Sequence, residues 1–211
     1  MSQSSSKRIA FVVNAITGKE LRAGNCDVAR VYHLLTDQKF GMCSGDIPIQ
    51  QLESSNDFEN TLKKILEGWD SANQLIFYFS GHGDVLRETF ILKFGLTQHD
   101  SYPFGNIINY LRLYGVSRAI LILDACHSGA ATGIKNTNDK ILSTLNKDDI
   151  PQGIAIIASS QATQKSRELS DGSYSVFTNI LCQGIETGLN GQPTVNELIT
   201  VGDIVSYSDR K

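Results

Sequence analysis

Five short apolar runs, at residues 9–13, 47–52, 75–79, 119–123 and 154–158, all but the second uninterrupted, constrain this chain more than any other feature. Each is built mainly from Val, Ile, Leu, Phe and Ala, the run at 47–52 being the weakest. A strand covered on one face alternates apolar and polar residues, and these runs do not. They are expected to be strands buried on both faces, as in a parallel sheet sandwiched between helices. Helical patterns lie between them. Val28, Val31, Tyr32 and Leu35 fall at i, i+3, i+4 and i+7. Phe58, Leu62, Ile65, Leu66 and Trp69 repeat that face, with Ser54 and Ser55 as N-cap candidates. Pro103 opens a third helix through Ile107, Ile108 and Leu111, which Gly115 closes. Phe177, Ile180, Leu181 and Ile185 mark a fourth. Strand–helix alternation predicts an α/β doubly wound fold, with a mostly parallel sheet of about six strands, helices on both faces and right-handed crossovers.

The 211 residues suit one domain, expected over 8–207, with a polar disordered tail at 1–7 and a short end segment at 208–211 whose abrupt stop suggests truncation from a larger protein. A net charge of −3 and a pI near 5.8 leave no basic footprint, so no nucleic-acid partner is expected. No apolar stretch approaches the roughly 18 residues that span a bilayer, and the first run is too short for a secretory signal. We therefore expect a cytoplasmic protein with no membrane partner. The four cysteines, Cys26, Cys43, Cys126 and Cys182, form no CxxC pair and read as reduced thiols. Cys26 and Cys182 are expected to be packed on helices and Cys43 to lie in a loop.

Two of the runs end in small-residue segments that carry chemistry. Phe79-Ser80-Gly81-His82-Gly83 ends the third, and Leu123-Asp124-Ala125-Cys126-His127-Ser128-Gly129 ends the fourth. His82 and Cys126 are 44 positions apart, about one crossover connection, so they can occupy neighbouring strand ends, where open α/β sheets bind ligands. A thiol attacks a carbonyl as the thiolate, and an imidazole can take its proton and later protonate the leaving amine. Gly81 and Gly83 are expected to turn the backbone sharply and bring it close to a ligand. The N–H groups of Gly83 and Cys126 are natural donors to a developing oxyanion. Three other readings stand beside this one. Cys126 can be a small buried apolar residue. A zinc site can be drawn from His82, His99, Cys126 and His127, without the paired spacing of structural zinc. A flavodoxin-like ligand-binding domain would need a phosphate-cradling loop after the first strand, where Asn14 to Gly18 offers one glycine.

Ser80-Gly81-His82-Gly83 and Asp124-Ala125-Cys126-His127-Ser128-Gly129 resemble the two catalytic motifs of the caspase-like cysteine peptidases, closest to metacaspases and their prokaryotic relatives. The segment from Leu21 to Val28 resembles the one that leads into the first helix of that family. Ala158-Ser159-Ser160-Gln161 with Phe177-Thr178 resembles the stretch after the fifth strand and its following helix. The likeness runs from about Lys7 to Leu189 in the expected order.

The resemblance implies a caspase-like fold and a cysteine endopeptidase with a His82/Cys126 dyad, acting on polypeptides in regulated proteolysis of the defence or cell-death type. Caspases carry Gln-Ala-Cys, and this chain has Asp124 in place of the glutamine. In metacaspases the matching positions, here Asp27, Ser80 and Asp124, line an acidic pocket for the residue before the scissile bond. Two carboxylates there attract Arg or Lys and repel Asp. The plainer readings are a helix N-terminal carboxylate for Asp27 and a strand-end acceptor for Asp124. Many metacaspases bind calcium between the histidine and the cysteine. Here Asp84, Glu88 and Asp100 are scattered and Asp124 is already used, so no metal or other cofactor is expected, calcium included. The polar loop 130–152 corresponds to the linker that is often cut on activation of a zymogen, and Lys135, Lys140 and Lys147 are its candidate self-cleavage positions. Glu168 and Ser166 can line the substrate groove. Besides a polypeptide substrate, an activating or regulatory protein is an expected partner. The alternative function is a catalytically silent caspase-like scaffold.

Overall fold

The computed structural model describes residues 6–17, 23–95, 100–127, 150–159 and 168–188, the last two residues of the 100–127 segment by their backbone alone. Among these are seven strands and four helices. They are β1 (Arg8–Ala15), α1 (Gly24–Thr36), β2 (Gln50–Leu52), α2 (Ser55–Leu66), β3 (Gln74–Leu86), β4 (Thr89–Lys93), β5 (Ser101–Pro103), α3 (Phe104–Leu113), β6 (Ala119–His127), β7 (Ile154–Ala158) and α4 (Val176–Thr187). Residues 1–5 of the expected tail at 1–7, the greater part of loop 130–152 with Lys135, Lys140 and Lys147, Ser166, His99 and the end segment 208–211 lie outside the described residues, whereas Lys7 of that tail is bonded through its backbone to Asn73 and Gln74.

Strands β2, β1, β3, β6 and β7 form a parallel sheet in that spatial order. Continuous apolar character follows from what covers it. Phe11, Val13, Leu75, Phe77, Phe79, Leu121 and Leu123 pack on one face against Phe58, Leu62 and Leu66 of α2 and Ile107, Ile108 and Leu111 of α3. Ala10, Val12, Ile76, Tyr78, Ile122 and Ile157, the alternate residues of the same strands, pack on the other face against Val28, Val31, Leu34 and Leu35 of α1 and Leu181 and Cys182 of α4. Ser54 caps α2 by accepting from the Asp57 N–H at 3.0 Å, and Gly115 ends α3 at φ +69°.

Two features depart from the sequence reading. The third apolar run does not end in a turn. β3 continues through Ser80, Gly81, His82 and Gly83 to Leu86, because β6 pairs with it rung for rung as far as Gly83–His127. Gly81 and Gly83 are therefore strand residues, and close packing explains them. A Cβ on Gly81 would come within 2.9 Å of Ala15 and of the Phe79 ring, and one on Gly83 within 2.8 Å of the Phe90 ring. The second departure is an antiparallel extension, in which β4 folds back onto the far end of β3 and β5 pairs in turn with β4. The hairpin turns at Arg87 and Glu88, both with positive φ (48° and 63°), as a primed turn requires.

Phe58 anchors the α2 face, with ring centroids 5.0 Å from Tyr102, 5.3 Å from Phe94 and 5.9 Å from both Phe11 and Phe77. Phe58→Ala is expected to cost about 3–5 kcal/mol in urea unfolding, since the cavity opens where four aromatic rings meet.

Candidate active site

β3 and β6 run side by side from Leu75–Ala119 to Gly83–His127. Near the C-terminal end of this ladder the apolar residues stop. Ser80 pairs with Asp124 and, two rungs on, His82 pairs with Cys126. The two residues singled out as a nucleophile and its base thus occupy facing positions on adjacent strands, whose backbones lie about 4.8 Å apart. His82 is half-buried. Gly83 is in register with Leu92 of β4 on one side and His127 of β6 on the other.

A buried polar cluster sits on the α1/α4 side of the sheet, one layer beyond Tyr78 and Ile122. Asp27, in the first turn of α1, is 2% exposed, Ser80 1% and Asp124 5%. Asp27 is therefore more than a helix N-terminal carboxylate. The Ser175 N–H donates to both of its oxygens, at 2.9 and 3.2 Å. The Ser175 hydroxyl donates to Asp124 Oδ2. Thr178 donates to the same oxygen at 2.8 Å, and its own Oγ1 lies 2.6 Å from the Tyr78 hydroxyl. With the Thr178 proton committed to Asp124, Tyr78 donates to Thr178. Ser175 also caps α4, accepting from the Thr178 N–H at 3.0 Å. One serine thus joins both carboxylates and opens the helix that covers them.

The remaining contacts hold this arrangement from outside. Glu168 bridges to Ser175 across a short hairpin, and its Oε1 accepts from the Ala23 N–H at 3.0 Å, capping α1 where Ala23 has no side chain to do so. Arg30 of α1 donates to Asn179 at 2.9 Å and pairs with Glu186 at 3.0 Å, with its guanidinium 4.8 Å from the centre of the Tyr174 ring. Sequence reasoning missed Ser175 and Tyr78. Ser175 carries an N-cap signal, a serine just before an apolar helix. Tyr78 is a hydroxyl inside an apolar strand, which needs a partner when buried.

Burial pushes the Asp27 carboxyl up to about 7, with the negative Asp124 beside it acting the same way and the Ser175 hydrogen bonds opposing both. Burial likewise pushes the Cys43 thiol up to about 11 and Cys182 up to about 12, which makes both inert as nucleophiles. Cys43 lies in a loop, and Cys182 is packed on α4 as expected, whereas Cys26 is exposed on α1. The acidic residues considered for calcium are dispersed. Asp84 pairs with Lys93 at 2.8 Å, Asp100 accepts from the Ser55 N–H at 3.1 Å, and Glu88 is exposed in the β3–β4 turn. No group of three or more candidate metal ligands forms among the described residues, and no helix there is long and apolar enough to cross a membrane.

The raised Asp27 carboxyl has a consequence for stability. Folded Asp27 holds a proton up to about pH 7, and unfolded Asp27 releases it near pH 4, so its ionisation destabilises the fold progressively between those values. Asp27→Asn keeps an acceptor for Ser175 and removes the charge. Its unfolding free energy relative to wild type is expected to rise from about pH 4 to pH 7 and then level off, by on the order of 3 kcal/mol. Urea unfolding across that range checks it, and a difference that shrinks with rising pH would contradict it.

Comparison with known proteins agrees with this architecture. The protein GSU0716 from Geobacter sulfurreducens superposes with a TM-score of 0.65 at 16% identity, covering 97% of this chain and 89% of the other. The structure of pro-sf-caspase-1 superposes with a TM-score of 0.61 at 12% identity, covering 97% of this chain and 78% of the other. At these identities both show a shared fold. No curated protein matches the chain in sequence. The profile of the caspase domain (Peptidase C14) matches residues 7–209, nearly the whole chain. The seven-stranded, mostly parallel sheet with helices on both faces is thus a caspase-like fold, and the chain belongs to the caspase domain family of cysteine peptidases.

Proposed function

We propose that this chain is a cysteine endopeptidase that cleaves polypeptides after Arg or Lys, with Cys126 as nucleophile and His82 as general acid–base. The observation that carries the reading is the pair of rungs Ser80–Asp124 and His82–Cys126, two residues apart on the same two strands. That spacing is about 6.6 Å along a strand, comparable to the reach of a lysine or arginine side chain. A substrate carbonyl over the dyad rung can therefore send a basic side chain toward the acidic rung. In this reading His82 takes the Cys126 proton and the thiolate adds to the carbonyl carbon. The N–H groups of Gly83 and Cys126 stabilise the oxyanion. His82 then protonates the departing amine, and water hydrolyses the thioester with His82 as base. Asp27, Ser80 and Asp124 form the pocket for the basic residue. Cleavage in loop 130–152 at Lys135, Lys140 or Lys147 fits that specificity and a zymogen. A cytoplasmic setting in regulated proteolysis and an activating protein partner complete the proposal.

The test is hydrolysis of fluorogenic peptides carrying Arg, Lys or Asp before the leaving group. Activity on the basic peptides is expected, with kcat/KM falling by about a thousandfold or more in Cys126→Ala and in His82→Ala. Activity confined to the Asp peptide would refute the pocket while sparing the dyad. Silence toward all three would favour a scaffold. We also propose that the reaction needs no calcium, because Asp84 and Asp100 are engaged with Lys93 and the α2 N-terminus. Rates in excess chelator and in millimolar calcium are expected to agree within about twofold, and a calcium requirement would show a site built from other residues.

A further inference from the structure

Among the described residues, three buried side-chain polar atoms have no hydrogen-bond partner: Trp69 Nε1, Tyr102 Oη and Ser159 Oγ. The first two belong to the core under α2 and α3. Ser159 is different. It is 5% exposed and directly follows β7. Its N–H donates to the Leu123 carbonyl at 3.0 Å, extending the β6–β7 ladder past its last rung, Leu123–Ala158. That extension sets Ser159 level with Asp124, as Ser80 is level with Asp124 on the other side. Strand alternation continues from Ile157, which packs under α1 and α4. Ser80, Asp124 and Ser159 thus form one row across β3, β6 and β7, on the face where Asp27 also lies.

A buried hydroxyl without a partner is unfavourable and needs a reason. Here the reason is at hand, because the hydroxyl ends the row of polar groups that face a basic ligand. We propose that Ser159 Oγ is a third side-chain contact of the pocket, accepting a hydrogen bond from an arginine guanidinium, and that it makes the site prefer Arg over Lys. This rests on the reading of the acidic pocket given above. A guanidinium presents five N–H donors in one plane, whereas an ammonium presents three from a single atom. Two carboxylates suffice for the ammonium. The wider, planar group has donors left over, and a neutral acceptor beside Asp124 takes one without adding a charge to a buried acidic pair.

The experiment compares kcat/KM for peptides that differ only in Arg or Lys before the leaving group, in wild type and Ser159→Ala, with thermal unfolding of both. Agmatine and cadaverine serve as competitive inhibitors that carry the two cations without a peptide. Wild type is expected to favour Arg. Ser159→Ala is expected to lose about tenfold on the Arg peptide, mainly through KM, with agmatine weakened in parallel and the Lys peptide and cadaverine changed by less than about twofold. Its melting temperature is expected to be no lower than that of wild type, since an unsatisfied group has been removed. An unchanged Arg-to-Lys ratio, or equal losses on both, would overturn this inference alone. A wild type that cleaves neither peptide would overturn the pocket reading and this inference with it.

Discussion

The structure depends on the parallel ladder between β3 and β6. Its nine rungs, from Leu75–Ala119 to Gly83–His127, form the centre of the sheet. Both cores are built on the alternate faces of these two strands. Leu75, Phe77 and Phe79 with Leu121 and Leu123 fill one side, and Ile76 and Tyr78 with Ile122 fill the other. Because side chains alternate strictly along a strand, a slip of one residue would exchange the two cores and remove Ser80 from Asp124 and His82 from Cys126 together. Register is thus the one quantity on which packing and chemistry both rest. The aromatic volume of Phe77 and Phe79 against Phe58, Phe11 and Phe94 makes such a slip costly.

That rigidity supports a second, less favourable arrangement. Two carboxylates, from Asp27 and Asp124, are held almost fully out of water and close enough for each to feel the other. Ionised groups in such surroundings are stable only with donors aimed at them. The donors come from far away in sequence: Ser175 is 148 residues from Asp27 and 51 from Asp124. The hairpin and helix that carry Ser175 and Thr178 are pinned to α1 by Glu168 and Arg30. In the proposed reading, a basic ligand entering a pocket assembled in this way from separate segments of the chain meets groups that are already oriented.

Much of this was legible beforehand, and the failures have identifiable causes. β7 matches its apolar run residue for residue, and the Ser54 and Gly115 helix boundaries hold. The end of β3 was misjudged because glycines in Ser80-Gly81-His82-Gly83 read as a turn, whereas they are small so that Ala15 and the rings of Phe79 and Phe90 can approach the strand. β4 went unseen because the hairpin that joins it to β3 turns on Arg87 and Glu88 rather than on Asn-Gly or Asp-Gly, and β5 because it is only three residues long. Cys26 was expected to pack, but it lies on the solvent side of α1, next to the buried Asp27. The residues His82, Cys126, Asp27, Ser80 and Asp124 were nominated from motifs, and the fold brings their elements to one end of the sheet.

The amino-acid sequence alone determined the class of fold, because unbroken apolar runs alternating with amphipathic helices can be buried in few ways. It also determined which residues carry reactive groups. Only the tertiary structure decided that Ser175 bridges the two carboxylates, that Tyr78 donates into Thr178 and that the Ser159 hydroxyl stands unpartnered beside Asp124. These are consequences of strand register and helix docking. A local pattern records the period of a segment and not what will face it from a hundred residues away.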